Sequence, residues 1–202
     1  MKQKARNLFS LFFISLLLIQ PALVQADGEM AKQSLQDFMT TLRTMEFSTD
    51  HDTLDPALTV KANQHLDLES MVSSALSESW DDASDEQKKQ FMAVMWKLIE
   101  KVAYPKSKTF LGSLEIQYDE PKPLEKGYEI ITVIKKEEEA LDIEAIYLLH
   151  EIDNSWKVYD VILDSVSMIE DLSYQFTTII EESSFDGLLK RMNEKLAEVS
   201  EA

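Results

Sequence analysis

The chain has 202 residues, with 37 acidic and 20 basic side chains, a net charge of −17 and no cysteine. So acidic a surface repels nucleic acid and anionic lipid headgroups, which excludes nucleic-acid binding and direct adsorption to an anionic bilayer as expected roles. Without cysteine there can be no disulfide, thiolate metal site or cysteine-linked lipid anchor, so packing alone must hold the fold.

Residues 1–26 open with Lys2, Lys4 and Arg6, continue with an apolar run from Leu8 to Ile19 and end in Val24-Gln25-Ala26. This layout predicts a secretory signal peptide cleaved after Ala26. The apolar run falls short of the roughly 20 residues a membrane span needs. Removal of the segment takes away three basic and no acidic side chains, so the net charge moves from −17 to −20. The remainder, 27–202, suits a single domain with a sizeable core.

Beyond Ala26, Leu35, Phe38, Met39, Leu42 and Met45 recur at helical spacing. A polar connector follows, in which Pro56 is expected to break any helix. Asp67 then reads as the N-cap of a second helix through Trp80, with Leu68, Met71, Val72, Ala75 and Leu76 on its apolar side. Ser84 and Gln87 form a capping-box pattern ahead of a stripe of Phe91, Val94, Met95, Leu98, Ile99 and Val102, which Pro105 is expected to stop.

The middle of the chain alternates instead. "SLEIQYDE", "GYEIITVIK", "LDIEAIYLLH" and "WKVYDVIL" predict four strands, and the short links around Glu137–Glu139 and Asp153–Asn154 predict antiparallel hairpins. The tail returns to helix with Leu188, Leu189, Met192, Leu196 and Val199. The fold class is therefore α+β, an antiparallel meander of about four strands packed with helices. Two strands are apolar on both faces. Ile146 and Leu148 stand opposite Ala145, Tyr147 and Leu149, and Val158 and Ile162 are read as opposite Tyr159, Val161 and Leu163. Both faces should therefore be covered over part of their length, by helices alone or by helices and a ligand.

Few residues suggest chemistry. His51, His65 and His150 lack metal-ligand spacing, and no nucleophile, phosphate-loop or dinucleotide motif occurs, so neither a metal nor a cofactor is expected. Asp142 and Glu144 share a strand face but read as a solvated edge. Asp160, set among apolar strand residues, reads as a hydrogen-bond acceptor. Met71, Met92, Met95 and Met168 lie on or beside apolar stripes, where thioethers fill cores or accept varied apolar shapes.

Three segments resemble the toluene-tolerance (MlaC-like) family. They are "HLDLESMVSSALSESWDDASDEQKKQF", "WKVYDVILDSVSMIEDLSYQF" and the closing helix "SSFDGLLKRMNEKL", in the family's order from about Asn63 to Leu196. Ser165 stands where the family usually has glycine, and Leu172-Ser173 where it has Tyr-Arg. The resemblance implies a non-enzymatic periplasmic protein that carries phospholipid, or a related lipid such as a hopanoid. Its implied partners are an outer-membrane lipoprotein complex and an inner-membrane ABC transporter. The implied fold is a twisted antiparallel sheet wrapped by helices around an apolar cavity for acyl chains. The expected walls are Met71, Phe91, Met95, Leu98, Ile99 and Val102 on the helices, Ile131, Val133, Ile146, Leu148 and Val161 on the strands, and Val166 and Ile169 where the last strand enters a helix. Two other readings stand beside it, a periplasmic interaction module with a filled core and a cone-shaped enzyme of the NTF2-like kind.

Overall fold

The computed structural model describes residues 21–45, 55–112, 114–136 and 141–201. The expected signal peptide up to residue 20, His51 and the hairpin tip at 137–140 lie outside the described residues. The first helix, α1 (Pro21–Thr44), buries Leu35, Phe38, Met39 and Leu42 as its spacing predicts, with Met45 buried just beyond its end.

Helix α2 (Pro56–Asn63) occupies part of the expected connector. Pro56 opens this helix instead of breaking it, because a first-turn residue has no intrahelical partner for the N–H that proline lacks. Asp55 caps the helix by accepting from the Ala57 N–H at 2.8 Å. The next helix is divided into α3 (Leu68–Leu76) and α4 (Glu78–Asp82) by Ser77, whose φ is 48°. Asp67 caps α3 through the Ser70 N–H, and Ser84 and Gln87 form the full capping box of α5 (Asp85–Leu98).

Pro105 does not stop this rod. A π-helical turn (Ile99–Ala103) follows α5 and passes directly into α6 (Tyr104–Leu111), which ends at Gly112 with φ +34°. The wider turn displaces the carbonyl ladder just ahead of the proline ring, so the ring enters without ending the helix. A hydrogen-bonded chain from Tyr104 Oη to Asn63 (2.7 Å) and from Asn63 to Glu100 (3.0 Å) holds α2 against this turn.

The strands are β1 (Glu115–Tyr118), β2 (Lys122–Leu124), β3 (Gly127–Lys136), β4 (Leu141–Ile152), β5 (Ser155–Leu163) and β6 (Val166–Ser167). They form one antiparallel sheet ordered β1-β3-β4-β5-β6, with β2 pairing β3. The four longer strands are those the alternation predicts. The two extra ones are a three-residue strand containing Pro123 and a two-residue strand, both too short to show a period. The β4–β5 hairpin turns through Asp153 and Asn154 at φ 52° and 59°, a conformation both residue types tolerate. Gly127 is required, since a Cβ there would collide with the Leu149 carbonyl. Helices α7 (Met168–Ser183) and α8 (Phe185–Glu201) complete the chain.

Packing divides into two clusters. One joins α1 and α6 to one sheet face, with Leu35, Ile130, Leu149 and Val158 fully buried. The other joins α3, α4, α5, α7 and α8 around Phe91. Ile99, in the π turn, packs against both.

Candidate functional site

The corner from Trp156 to Phe176 links the two clusters, and its residues do so one by one. Trp156 packs edge-on against Tyr128 at 5.3 Å, and its carbonyl accepts the Ser34 hydroxyl at 2.7 Å. Because that hydroxyl proton is committed, the 2.9 Å contact between Ser34 Oγ and His65 Nδ1 has the imidazole donating. Burial holds the His65 pKa below its ordinary value; Asp37 opposes the shift and Lys61 reinforces it. Val158 is fully buried and pairs with the His65–Asp67 segment, its N–H donating to the His65 carbonyl and its carbonyl accepting from Asp67.

Asp160 is 4% exposed and has three donors. These are the Ser167 hydroxyl at 2.6 Å and the backbone N–H groups of Val161 (2.9 Å) and Ile169 (3.2 Å). Ser167 in turn accepts from the Glu170 N–H and caps α7. The carboxylate therefore fixes the angle at which the strand becomes a helix. Phe176 ends the segment, edge-on to Phe91 at 5.4 Å in the helical cluster.

A second tie joins sheet to helices. His150 Nε2 meets Asp67 Oδ2 at 2.7 Å, and the same carboxylate caps α3. Burial opposes Asp67 ionisation, but hydrogen bonds from Ser70 and then His150 outweigh it and hold the carboxyl below its usual range.

Cross-strand partners share a face, and this sorts the expected strand residues. Ile131 opposes Ile146, Glu129 opposes Leu148 and Ile146 opposes Ile162, so these aliphatic side chains form one band on the face turned away from α1. Val133, opposite Glu144, extends it. All are half-buried, and among the described residues none packs against either buried cluster.

Val161 is not with them. A β-bulge shifts the register between Leu148 and Leu149, so Tyr159 is an extra residue in β5 and strict alternation fails there. Val161 opposes Tyr147 and packs on the α1 side, whereas Asp160 and Ile162 take the other face. The expected pairing of Val158 with Ile162 on one face is corrected by the same bulge. Ile162 is the aliphatic residue that the sequence reading missed, and no glycine marks the irregularity.

The expected helical residues separate by depth. Met71 and Phe91 are sealed in the helical cluster, while Met95, Leu98 and Ile99 are half-buried against it. Val102, also half-buried, lies in the π turn. Val166 is 53% exposed, because β6 is a two-residue edge strand. Ile169 is half-buried at the start of α7 and lines an open groove of about 650 Å³ along α3 and α7. That groove is otherwise walled by hydroxyls and carboxylates, among them Ser74, Ser173, Glu170 and Glu181, with Tyr174 exposed beside them.

Asp142 and Glu144 are exposed on the sheet, as a solvated edge requires. Among the described residues no group of three His, Cys, Asp or Glu side chains is placed to hold a metal ion, and no helix is long and apolar enough to cross a membrane.

No curated protein matches this chain. Its fold is similar to that of a phospholipid-binding protein from Ralstonia solanacearum, solved in complex with a phospholipid. The TM-score is 0.67 at 16% identity, over 86% of this chain and 98% of that one. The model of the MlaC protein family matches residues 32–194, from the middle of α1 into α8, and the chain belongs to that family.

Proposed function

We propose that this protein binds phospholipid, or a related acyl lipid such as a hopanoid, and carries it through the periplasm between an outer-membrane lipoprotein complex and an inner-membrane ABC transporter. The observation that carries the reading within this chain is the half-buried aliphatic band of Ile131, Val133, Ile146, Leu148 and Ile162, which neither core absorbs. An antiparallel sheet that faces water alternates polar side chains there, and a face finished by packing would be buried. A lining that an acyl chain completes is neither. Membership of the MlaC family and the likeness to a phospholipid-bound fold support the same reading.

On this reading Met95, Leu98, Ile99 and Val102 supply the helical wall. Ile99 is the hinge of the arrangement, since it touches both cores from within the π turn, where the helical ladder is widened. Two acyl tails of about thirty methylenes, at about 0.8 kcal/mol each, represent roughly 20 kcal/mol of apolar burial. A carrier must cover most of that area to compete with a bilayer, and a partner must disturb the cavity to release it. The acidic surface suits basic patches on such partners, and attraction of that kind speeds encounter.

Lipid-free protein incubated with vesicles containing a labelled phospholipid, then separated from them by flotation, tests the reading. Protein left in the dense fraction should carry lipid at near one molecule per chain. Protein that floats with the vesicles, or remains dense without lipid, contradicts a soluble carrier.

A further inference from the structure

The α1 face of the sheet carries an unanswered charge. Arg43, in the last turn of α1, has its Nε and Nη2 atoms buried without a hydrogen-bond partner among the described residues. These two nitrogens form one edge of the guanidinium, with parallel N–H groups suited to a forked oxyanion contact. Arg43 as a whole is half-buried, and leaving the N–H groups of its sealed edge without acceptors is costly, so an edge kept in this state implies an acceptor that joins it.

Two phenols stand on the same face. Tyr118 opposes Thr132 and Thr132 opposes Ala145, which places Tyr118 beside Tyr147 across three strands. Tyr147 is 8% exposed and Tyr118 half-buried. Burial raises the Tyr118 pKa and the nearby Arg43 charge opposes the rise. Burial, then the neighbouring Tyr118, raises that of Tyr147, so both phenols stay protonated donors at neutral pH.

We propose that Arg43, Tyr118 and Tyr147 form a receiving site for a phosphate-type oxyanion. Two guanidinium N–H groups and two hydroxyls offer more donors than one planar carboxylate edge accepts, whereas the tetrahedral oxygens of a phosphate can meet them together. The phosphate comes either from the headgroup of a lipid that reaches round the edge strand β1 from the aliphatic band on the opposite face, or from free phosphate. Only the first source rests on the function proposed above.

The test uses the full secreted chain, freed of lipid, with Arg43→Met and Tyr147→Phe variants. One arm measures the melting temperature against inorganic phosphate, and the other measures uptake from phosphatidylglycerol vesicles. Arg43→Met should weaken whichever ligand binds by roughly ten- to a hundredfold, and Tyr147→Phe by severalfold. Ligand-free Arg43→Met should melt no lower than the parent, because it no longer leaves a sealed guanidinium edge without acceptors. Arg43-dependent lipid uptake identifies a headgroup. Arg43-dependent phosphate binding without lipid uptake keeps the site and removes the carrier reading. Lipid uptake indifferent to Arg43, with no phosphate effect, overturns the site and leaves the carrier reading intact. A lower ligand-free melting temperature with unchanged binding also overturns it, since the guanidinium would then have its partner within the chain.

Discussion

The sheet-side core and the helical core are built from the same kinds of side chain but are finished differently. On the sheet side, Ile130, Leu149 and Val158 are fully buried within a hydrogen-bonded ladder, and the Ser34–His65–Trp156 contacts clamp α1 across it. The helical core centres on one residue. Phe91 meets Trp80, Phe176 and Phe185 at ring distances of 5.9, 5.4 and 5.9 Å, and around it lie half-buried Met92, Met95, Leu98 and Ile99. Side-chain packing without a ladder leaves the second unit more adjustable, and flexible thioethers at its margin add to that. On the proposed function, the sheet-side unit would hold the shape and the helical one admit lipid, with Ile99 where they meet.

The largest effect should come from removing the centre of the adjustable unit. Phe91→Ala should cost about 3–5 kcal/mol in urea unfolding. Hydrogen exchange should show protection lost first in α3, α5, α7 and α8, with β3 and β4 retained. Equal loss in both regions would mean that they form one cooperative core and would dissolve the comparison.

Next comes the joint between them. Asp160→Ala strands the Ser167 hydroxyl and the Ile169 N–H and should cost about 1–3 kcal/mol. Fluorescence of the aromatic cluster and amide exchange at the start of α7 should change together. A substitution without consequence at either probe would show that the corner is set by packing alone.

Acid should find the sheet side first. The lowered His65 pKa means that the fold favours neutral imidazole, while the unfolded chain takes up a proton near pH 6.5. Stability is therefore full above that value and falls as pH drops through it toward the lower folded pKa. His65→Gln should flatten this part of the profile. Asp67 has a depressed carboxyl pKa, so its contribution is present above the ordinary carboxylate range and is lost only when pH falls through its lower folded value. A stability curve level between pH 7 and pH 5 would contradict the assignment to His65.

The smallest effect is a gain. Ser165 turns at φ 67°, in the left-handed region, at the position where glycine is usual in the resembled family pattern. Ser165→Gly should raise stability by about 0.5–1 kcal/mol, read as a small rise in melting temperature. A fall would show that the serine contributes something that outweighs the strain.

Much of this was legible in the sequence, and the failures have local causes. The caps at Asp67 and Ser84 were readable because a side-chain oxygen at a fixed offset from the first free N–H groups is a short-range device. The faces of β4 followed from simple alternation. The helix opening at Pro56 and the rod continuing past Pro105 were not, because proline ends a helix or begins one according to its position, and the π turn that admits it leaves no composition mark. The bulge at Tyr159 was equally silent, and it exchanged Val161 for Ile162 on the aliphatic face. Nothing in the sequence singles out Arg43, since sealing of one edge of its guanidinium depends on contacts distant in sequence.

The central claim is that the aliphatic band is completed by lipid, and native mass spectrometry of protein isolated from its native host tests it most directly. The account predicts a dominant species heavier than the bare chain by one phospholipid-sized mass, released as acyl lipid into organic solvent in near-stoichiometric amount. A spectrum showing only the bare chain, from protein that also takes up no added phospholipid, would contradict it.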